Sequence, residues 1–278
     1  MRFWKYHGTG NDFVLMEAMD GRPGWLTPDA VRKVCDRRFG VGADGILLIE
    51  KGKNAPHFMR VLNADGSEAE MCGNGIRCVA KHLRERMGVV GETVPIETLA
   101  GIKQCTLSID GDGKVSGVLV GLGAPILERA KVPLAGSGDV LDLRVSALGR
   151  DFTGHGVSMG NPHFVIFEGL DEESARRYGS VLSTSPLFPM QANIEFAGQK
   201  GPDHYEVRVY ERGVGLTLAC GTGAGATAVA AVLTGRSQAG QVIRIDLPGG
   251  TLYLTVAHDM TEVALDGPAE LVFEGELL

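Results

Sequence analysis

The chain repeats itself at about half its length, and this limits the folds open to it. Shifted by 148 residues without a gap, the segment Arg60–Gly75 falls on Arg208–Gly223, and Arg, Val, Cys, Gly and Gly coincide. The same shift places His7 and Gly8 on His155 and Gly156. With two residues more, Gly10 and Asn11 fall on Gly160 and Asn161, and one residue further the apolar run Phe13–Met16 finds its counterpart in Phe164–Phe167. Separated segments that share nearly one offset, in the same order, mark a duplication. In a chain of 278 residues, two copies make two similar domains. Facing each other across a pseudo-twofold axis, they would bring equivalent residues to one cleft, with the seam near residue 118.

The element pattern is the same in both halves. Residues 3–6, 13–17, 46–50 and 57–62 read as strands, short and apolar between Gly, Asp or Asn. Thr27 and Pro28 open a helix as N-cap and first helical residue, expected to run to about Phe39 and stop at Gly40. A second helix from Gly73 to about Met87 carries apolar Ile76, Val79, Ala80, Leu83 and Met87 at helical spacing. Strands follow near 93–98, 102–109 and 114–120, and the second half adds helices near 171–182 and 222–234. The last of these is small and apolar all round, so it belongs in the middle of its domain. Strands dominate and connections are short. The reading is an α/β chain of the α+β kind, each domain a mainly antiparallel sheet curved around one central helix.

Composition removes several function classes. The 34 acidic and 27 basic residues give a net charge of −7 without a basic run, which suits neither nucleic acid nor an acidic membrane surface. The five cysteines, at 35, 72, 78, 105 and 220, form no CxxC pair, so neither a disulfide framework nor a zinc ribbon is expected. The beginning, MRFWKYHGTGND, has no apolar h-region, and a cytoplasmic protein is the expectation. Two motifs mislead. Gly40–Gly45 matches GxGxxG but has a helix before it and a strand after, the reverse of a dinucleotide fingerprint. Gly156–Gly160 matches GxSxG but leads into a strand, not the helix of a nucleophile elbow. The seven histidines show no metal spacing, and neither a metal nor an organic cofactor is expected.

The cysteine pair carries the chemistry. Cys72 and Cys220 occupy equivalent places in the repeat, each directly before Gly-X-Gly and a helix. A helix N-terminus offers unused N–H groups and partial positive charge, which lowers a thiol's pKa and welcomes an anion. Glu68 and Glu70, close in sequence to Cys72, would oppose its ionisation. Cys35, Cys78 and Cys105 read as small buried hydrophobes. Two such thiols, one on each face of a carbon, suit a two-base racemase or epimerase. One thiolate removes the Cα proton, the other thiol delivers one, and helix N-terminal amides hold the carboxylate as negative charge builds on it.

This pattern resembles the diaminopimelate epimerases over nearly the whole chain. The matching pieces are Gly10–Phe13, Asn63–Glu68 with Cys72–Gly75, Gly160–His163, Asn193, and Glu211–Gly215 with Ala219–Ala224. The resemblance implies an N-terminal epimerase repeat, 1–118, completed by a strand at 267–278, and a C-terminal repeat, 119–266. It implies a cofactor-independent, PLP-independent isomerase that interconverts LL- and meso-2,6-diaminoheptanedioate in lysine and peptidoglycan precursor synthesis, and a homodimer. Carried over, Cys72 and Cys220 are the acid/base thiols. The amides of Gly73, Asn74, Gly221 and Thr222 bind the reacting carboxylate. Asn11, Asn63, Asn161, Asn193, Glu211 and Arg212 line the substrate pocket, and His163 and Glu211 tune the cysteines. Gly45, Thr9 and Leu216 depart from residues common in the family. The alternatives are a related cofactor-independent racemase of the histidine or proline type, or a thiol redox or binding protein using Cys72 and Cys220.

Overall fold

A computed structural model describes residues 1–277 of the chain. It divides into two compact units, Met1–Val120 with the segment from Asp266 on, and Gly121–Leu265. The first holds β1 (Arg2–Gly8), β2 (Asn11–Ala18), α1 (Pro28–Cys35), β3 (Gly45–Lys51), β4 (His57–Asn63), β5 (Glu68–Ala69), α2 (Gly73–Glu85), β6 (Thr93–Thr98), β7 (Gly101–Ile109) and β8 (Val115–Gly121). The second holds β9 (Leu143–Ala147), β10 (Arg150–Ser158), β11 (Pro162–Ile166), α3 (Glu172–Leu182), β12 (Asn193–Gly201), β13 (His204–Glu211), β14 (Gly215–Thr217), α4 (Gly221–Leu233), β15 (Val242–Leu247) and β16 (Gly250–Val256). The chain leaves it through β17 (Val263–Gly267), and β18 (Glu270–Glu276) pairs antiparallel with β1 in the first unit.

The duplication is visible in the strand ladders. β2 pairs parallel with β3, β3 antiparallel with β4, β4 antiparallel with β5 and parallel with β6. β11, β12, β13, β14 and β15 repeat that series in kind and order. The sheets are therefore mixed, mostly antiparallel. The parallel pairs occur where a helical crossover intervenes: α1 between β2 and β3, α3 between β11 and β12, and α2 or α4 before β6 or β15.

Each sheet is packed on both faces. Val14, Met16, Ile46 and Leu48 point to the side where α1 buries Val31 and Cys35. Leu15 and Leu47, alternating with them, point the other way and are equally buried. Phe164, Ile166, Ile194 and Phe196 meet α3 through Ala175 and Leu182 in the second unit. That double burial explains why these strands read as nearly continuous apolar runs. α2 touches β1, β2, β3, β4, β6 and β7, and α4 touches β10, β11, β12 and β16, which makes each the helix that its sheet encloses.

Two helices differ from expectation. α1 ends at Cys35, not near Phe39, because Asp36 turns extended and its carboxylate accepts from the amides of Arg38 and Phe39 at 2.7 and 2.8 Å. Gly40 is still required: a Cβ there would lie 2.0 Å from the Lys33 carbonyl oxygen. α2 looks amphipathic in sequence, yet everything from Asn74 to Leu83 is buried. Two of its polar residues find partners inside. Lys81 Nζ donates to Val115 O at 2.6 Å, and His82 bonds Glu17 and Tyr6 at 3.0 and 3.3 Å. No described helix is long and apolar enough to cross a membrane.

Candidate active site

Cys72 and Cys220 cap α2 and α4 in the same way. Their backbone angles are φ −138°, ψ 116° and φ −130°, ψ 109°, extended as an N-cap requires. In each, Sγ accepts from the amide three residues on, Gly75 or Gly223, at 3.4 Å. These glycines permit the turn to close over the sheet. A Cβ on Gly75 would lie 2.8 Å from Leu47 Cδ2, and one on Gly223 would lie 2.8 Å from Glu195 Oε1. The amides of Gly73, Asn74, Gly221 and Thr222 lie in the first turns, where N–H groups have no intrahelical acceptor and can receive an anion.

Around Cys72 the partners are amides. The sulfur lies 3.9 Å from Asn11 Oδ1, which also accepts from Asn74 Nδ2 at 3.2 Å. Asn11 Nδ2 in turn donates to Asp44 at 2.8 Å. Asn74 Oδ1 is buried without a protein partner. Asn63 stands apart in this network: it ends β4 and donates to Ser67 Oγ at 3.0 Å within a tight turn. Glu68 is drawn to Arg60 by an ion pair, which offsets the charge that sequence proximity set against Cys72. Under the first turns of α2 lies Arg77, fully buried, donating to Gly73 O, Pro268 O and Thr9 Oγ1 at 3.1, 3.2 and 3.4 Å. Thr9 thus serves a structural bond, at φ 50°. Gly45 is fixed by the backbone, since a Cβ would lie 2.6 Å from Leu62 O.

Around Cys220 stand a hydroxyl and carboxylates, with an imidazole one asparagine further back. Thr222 Oγ1 lies 3.4 Å from Sγ and accepts from Asn161 Nδ2 at 3.3 Å. Asn161 Oδ1 is 3.0 Å from His163 Nε2, and His163 Nδ1 is 2.6 Å from Glu195 Oε1. Asn193 is shared: its Oδ1 accepts from Arg212 N at 2.9 Å and its Nδ2 lies 3.4 Å from His163 Nδ1. Glu211 accepts from Thr217 Oγ1 at 2.6 Å, and the Arg212 guanidinium donates to Met190 O at 3.1 Å. Leu216 packs on the core of this unit.

At Cys220 burial works against the helix terminus. Burial pushes its thiol well above the ordinary value, and ionised Glu211 or Glu195 would push it the same way, against the Thr222 hydroxyl and the Gly223 amide. The three cysteines set aside from sequence are buried and inert. Burial raises Cys35 to about 11 and Cys78 and Cys105 to about 12. Sequence reasoning missed Glu195 and Arg77. The sequence offers one signal, a lone acid between apolar Ile194 and Phe196; the buried place of Arg77 shows only in the structure.

Solved structures with this architecture include a PhzF-family phenazine biosynthesis protein from Bacillus anthracis, at TM-score 0.74 and 18% identity over 100% of this chain and 99% of that one. A probable proline racemase from Agrobacterium radiobacter, solved with bound carbonate, aligns at TM-score 0.71 and 14% identity over 100% and 92%. These define the class of fold. The family model for diaminopimelate epimerase matches residues 3–127 and 156–272. The diaminopimelate epimerase of Desulforudis audaxviator is 47% identical over 99% of both chains, and that of Moorella thermoacetica is 46% identical over the same shares. The chain belongs to the diaminopimelate epimerase family.

Proposed function

We propose that this protein interconverts LL- and meso-2,6-diaminoheptanedioate, as an isomerase of lysine and peptidoglycan precursor synthesis. The observation that carries the reading is the duplicated cap: in a chain of this family, Cys72 and Cys220 begin α2 and α4 with the same backbone angles and the same sulfur–amide distance. One thiolate takes the Cα proton and the opposite thiol returns one to the other face, so that the two exchange protonation states in each turnover. First-turn amides at Gly73, Asn74, Gly221 and Thr222 hold the carboxylate and strengthen as charge develops on it. Arg212 suits a second carboxylate and Glu211 an ammonium, which fits a substrate with both groups at each end. A cytoplasmic homodimer belongs to the same reading.

Cα deuterium wash-in from heavy water, followed with a substrate panel by chiral chromatography, tests it. Exchange and epimerisation of diaminopimelate are expected. Turnover of histidine or hydroxyproline with none of diaminopimelate would replace the reading with that of a different racemase.

A further inference from the structure

One carboxylate beside the first cap has no counterpart beside the second. Asp44 ends the loop before β3, and its backbone is tied down on both sides: Asp44 N donates to Asp12 O at 2.9 Å, and Ala64 N donates to Asp44 O at 3.1 Å. Both oxygens of its side chain accept. Oδ1 takes Arg37 Nη2 at 2.7 Å, and Oδ2 takes Asp12 N at 3.1 Å and Asn11 Nδ2 at 2.8 Å. A carboxylate only accepts, so the end of the Asn11 amide that faces it is NH2. The Asn11 oxygen is therefore the end turned to Cys72 Sγ, at 3.9 Å, and to Asn74 Nδ2, at 3.2 Å.

The two amides do not fix this orientation by themselves. If Asn11 and Asn74 turn over together, their mutual bond survives with donor and acceptor exchanged. The far oxygen of Asn74 is buried without a partner, so it does not resist the exchange. Asp44 is the group that does. The second unit is built otherwise. Phe13 pairs with Gly45 across β2 and β3 as His163 pairs with Asn193 across β11 and β12, so Ala192 stands in the place of Asp44. Asn161, the counterpart of Asn11, presents its other end to the cap: Nδ2 donates to Thr222 Oγ1, the hydroxyl beside Cys220 Sγ.

We propose that Asp44 is a positioning residue for Cys72, acting through Asn11, in the first half of the duplicated site only. By holding the Asn11 NH2 it sets a carbonyl oxygen against the sulfur. That oxygen accepts from the thiol and repels the thiolate, whose support is left to the Gly75 amide and the first turn of α2. The charged groups nearby are engaged elsewhere and do not set the amide. On α2, Arg77 attracts charge at Cys72 but spends its donors on Gly73 O, Pro268 O and Thr9 Oγ1, and Cys78 stays a neutral thiol. From β1 to β5, Lys5 and Arg37 pair with Asp12, Glu17 with His82, and Glu50 and Glu68 with Arg60. His7 accepts from Gly10 N, and Glu70 is exposed.

This rests on the reading of Cys72 as an acid/base thiol, so the experiment reads thiols without substrate and can fail while epimerisation stands. Alkylation of each cysteine peptide by iodoacetamide is followed against pH by mass spectrometry. Asp44→Ala gives the first unit the residue of the second and frees the amide pair to turn NH2 toward the sulfur. The Cys72 midpoint is expected to fall by about half a unit, quickening alkylation below it roughly threefold, while Cys220 stays put. Asp44→Asn removes the charge but still offers Asn11 an oxygen, its NH2 end facing Arg37, which is mostly exposed and keeps its bonds to Asp12. Its Cys72 midpoint is expected to match that of the unaltered protein. Cys35, Cys78 and Cys105, buried in the same unit, report an intact fold by staying unreactive. If they react in Asp44→Ala, Asp44→Ser replaces it: a hydroxyl donates as well as accepts and imposes no orientation, and the same fall is expected. A Cys72 midpoint unchanged or raised in these variants overturns the proposal. So does an equal fall in Asp44→Asn, which would make the effect one of charge alone, or a shift shared by Cys220.

Discussion

The N-termini of α2 and α4 share a backbone and differ in almost everything beneath it. Below α2 lies a buried cation, Arg77, with Phe13 and Leu47 filling the sheet. Below α4 lies a buried acid and its imidazole, and the place of Arg77 is taken, at the 148-residue shift, by Gly225. The helices follow suit. α2 keeps polar side chains inside and anchors each of them, while α4 is Ala, Gly, Val and Thr, buried from Gly223 to Ala231. Duplication preserved what a thiol needs from a helix terminus: extended cap, glycine three residues on, first-turn amides without an intrahelical acceptor. The surroundings were free to diverge, and they diverged in the sign of what they bury. On the proposed mechanism, two thiols that exchange roles in every turnover do so from unequal starting points.

The largest expected effect tests whether the two caps are chemically equivalent at all. Cys72→Ser and Cys220→Ser should each lower epimerisation roughly 10²–10⁴-fold, the scale of a lost general acid or base, measured by chiral chromatography. Loss from one variant alone would mean that the second thiol is structural and the comparison false.

Arg77 comes next. Arg77→Met removes the donor from Gly73 O, Pro268 O and Thr9 Oγ1 at once, the first two partly buried and the last buried. A loss of about 3 kcal/mol in urea unfolding is expected. An unchanged midpoint would show that α2 is held, like α4, by packing alone.

The sheet beneath the caps offers a smaller contrast. Alanine at Gly75 presses on a leucine methyl that can turn aside, whereas alanine at Gly223 presses on the bonded oxygen of Glu195. Gly223→Ala should cost about 1–3 kcal/mol and Gly75→Ala distinctly less, part of it offset by alanine's better helix propensity. Equal costs would deny that the acid is held more rigidly than its apolar counterpart.

Much of this was legible beforehand. The shift that aligns Cys72 with Cys220 located both caps, and Thr27 and Pro28 marked the start of α1. The double burial of β2 and β3 could be read in their apolar runs, Phe13–Met16 and Ile46–Ile49. What escaped were features that only tertiary contacts decide. Asp36 ends α1 by capturing two amides of the next turn, although the residues to Phe39 are acceptable in a helix. Arg77 and Glu195 are charged residues at interior positions. Sequence patterning assigns such residues to the surface unless a partner is known, and their partners lie on other elements.

One difference between the units concerns acid. Asp12 precedes Phe13 in the first unit, where the second has Pro162 before His163. Burial alone would raise the Asp12 carboxyl, but the hydrogen bonds from Arg37 and Lys5 overcome it and hold it at about 2. A depressed carboxyl contributes stability that is present above its unfolded value, about 4, and is lost as pH falls toward 2. The first unit should therefore lose on the order of 1–2 kcal/mol across that window through this group, and Asp12→Asn should flatten the loss without changing the second unit's acid response. Hydrogen exchange read separately over the two units between pH 4 and 2 decides it. Equal acid softening of both, with Asp12→Asn without effect, would place the lability outside the Asp12 cluster, and the asymmetry of the two halves would then be confined to what lies under their cysteines.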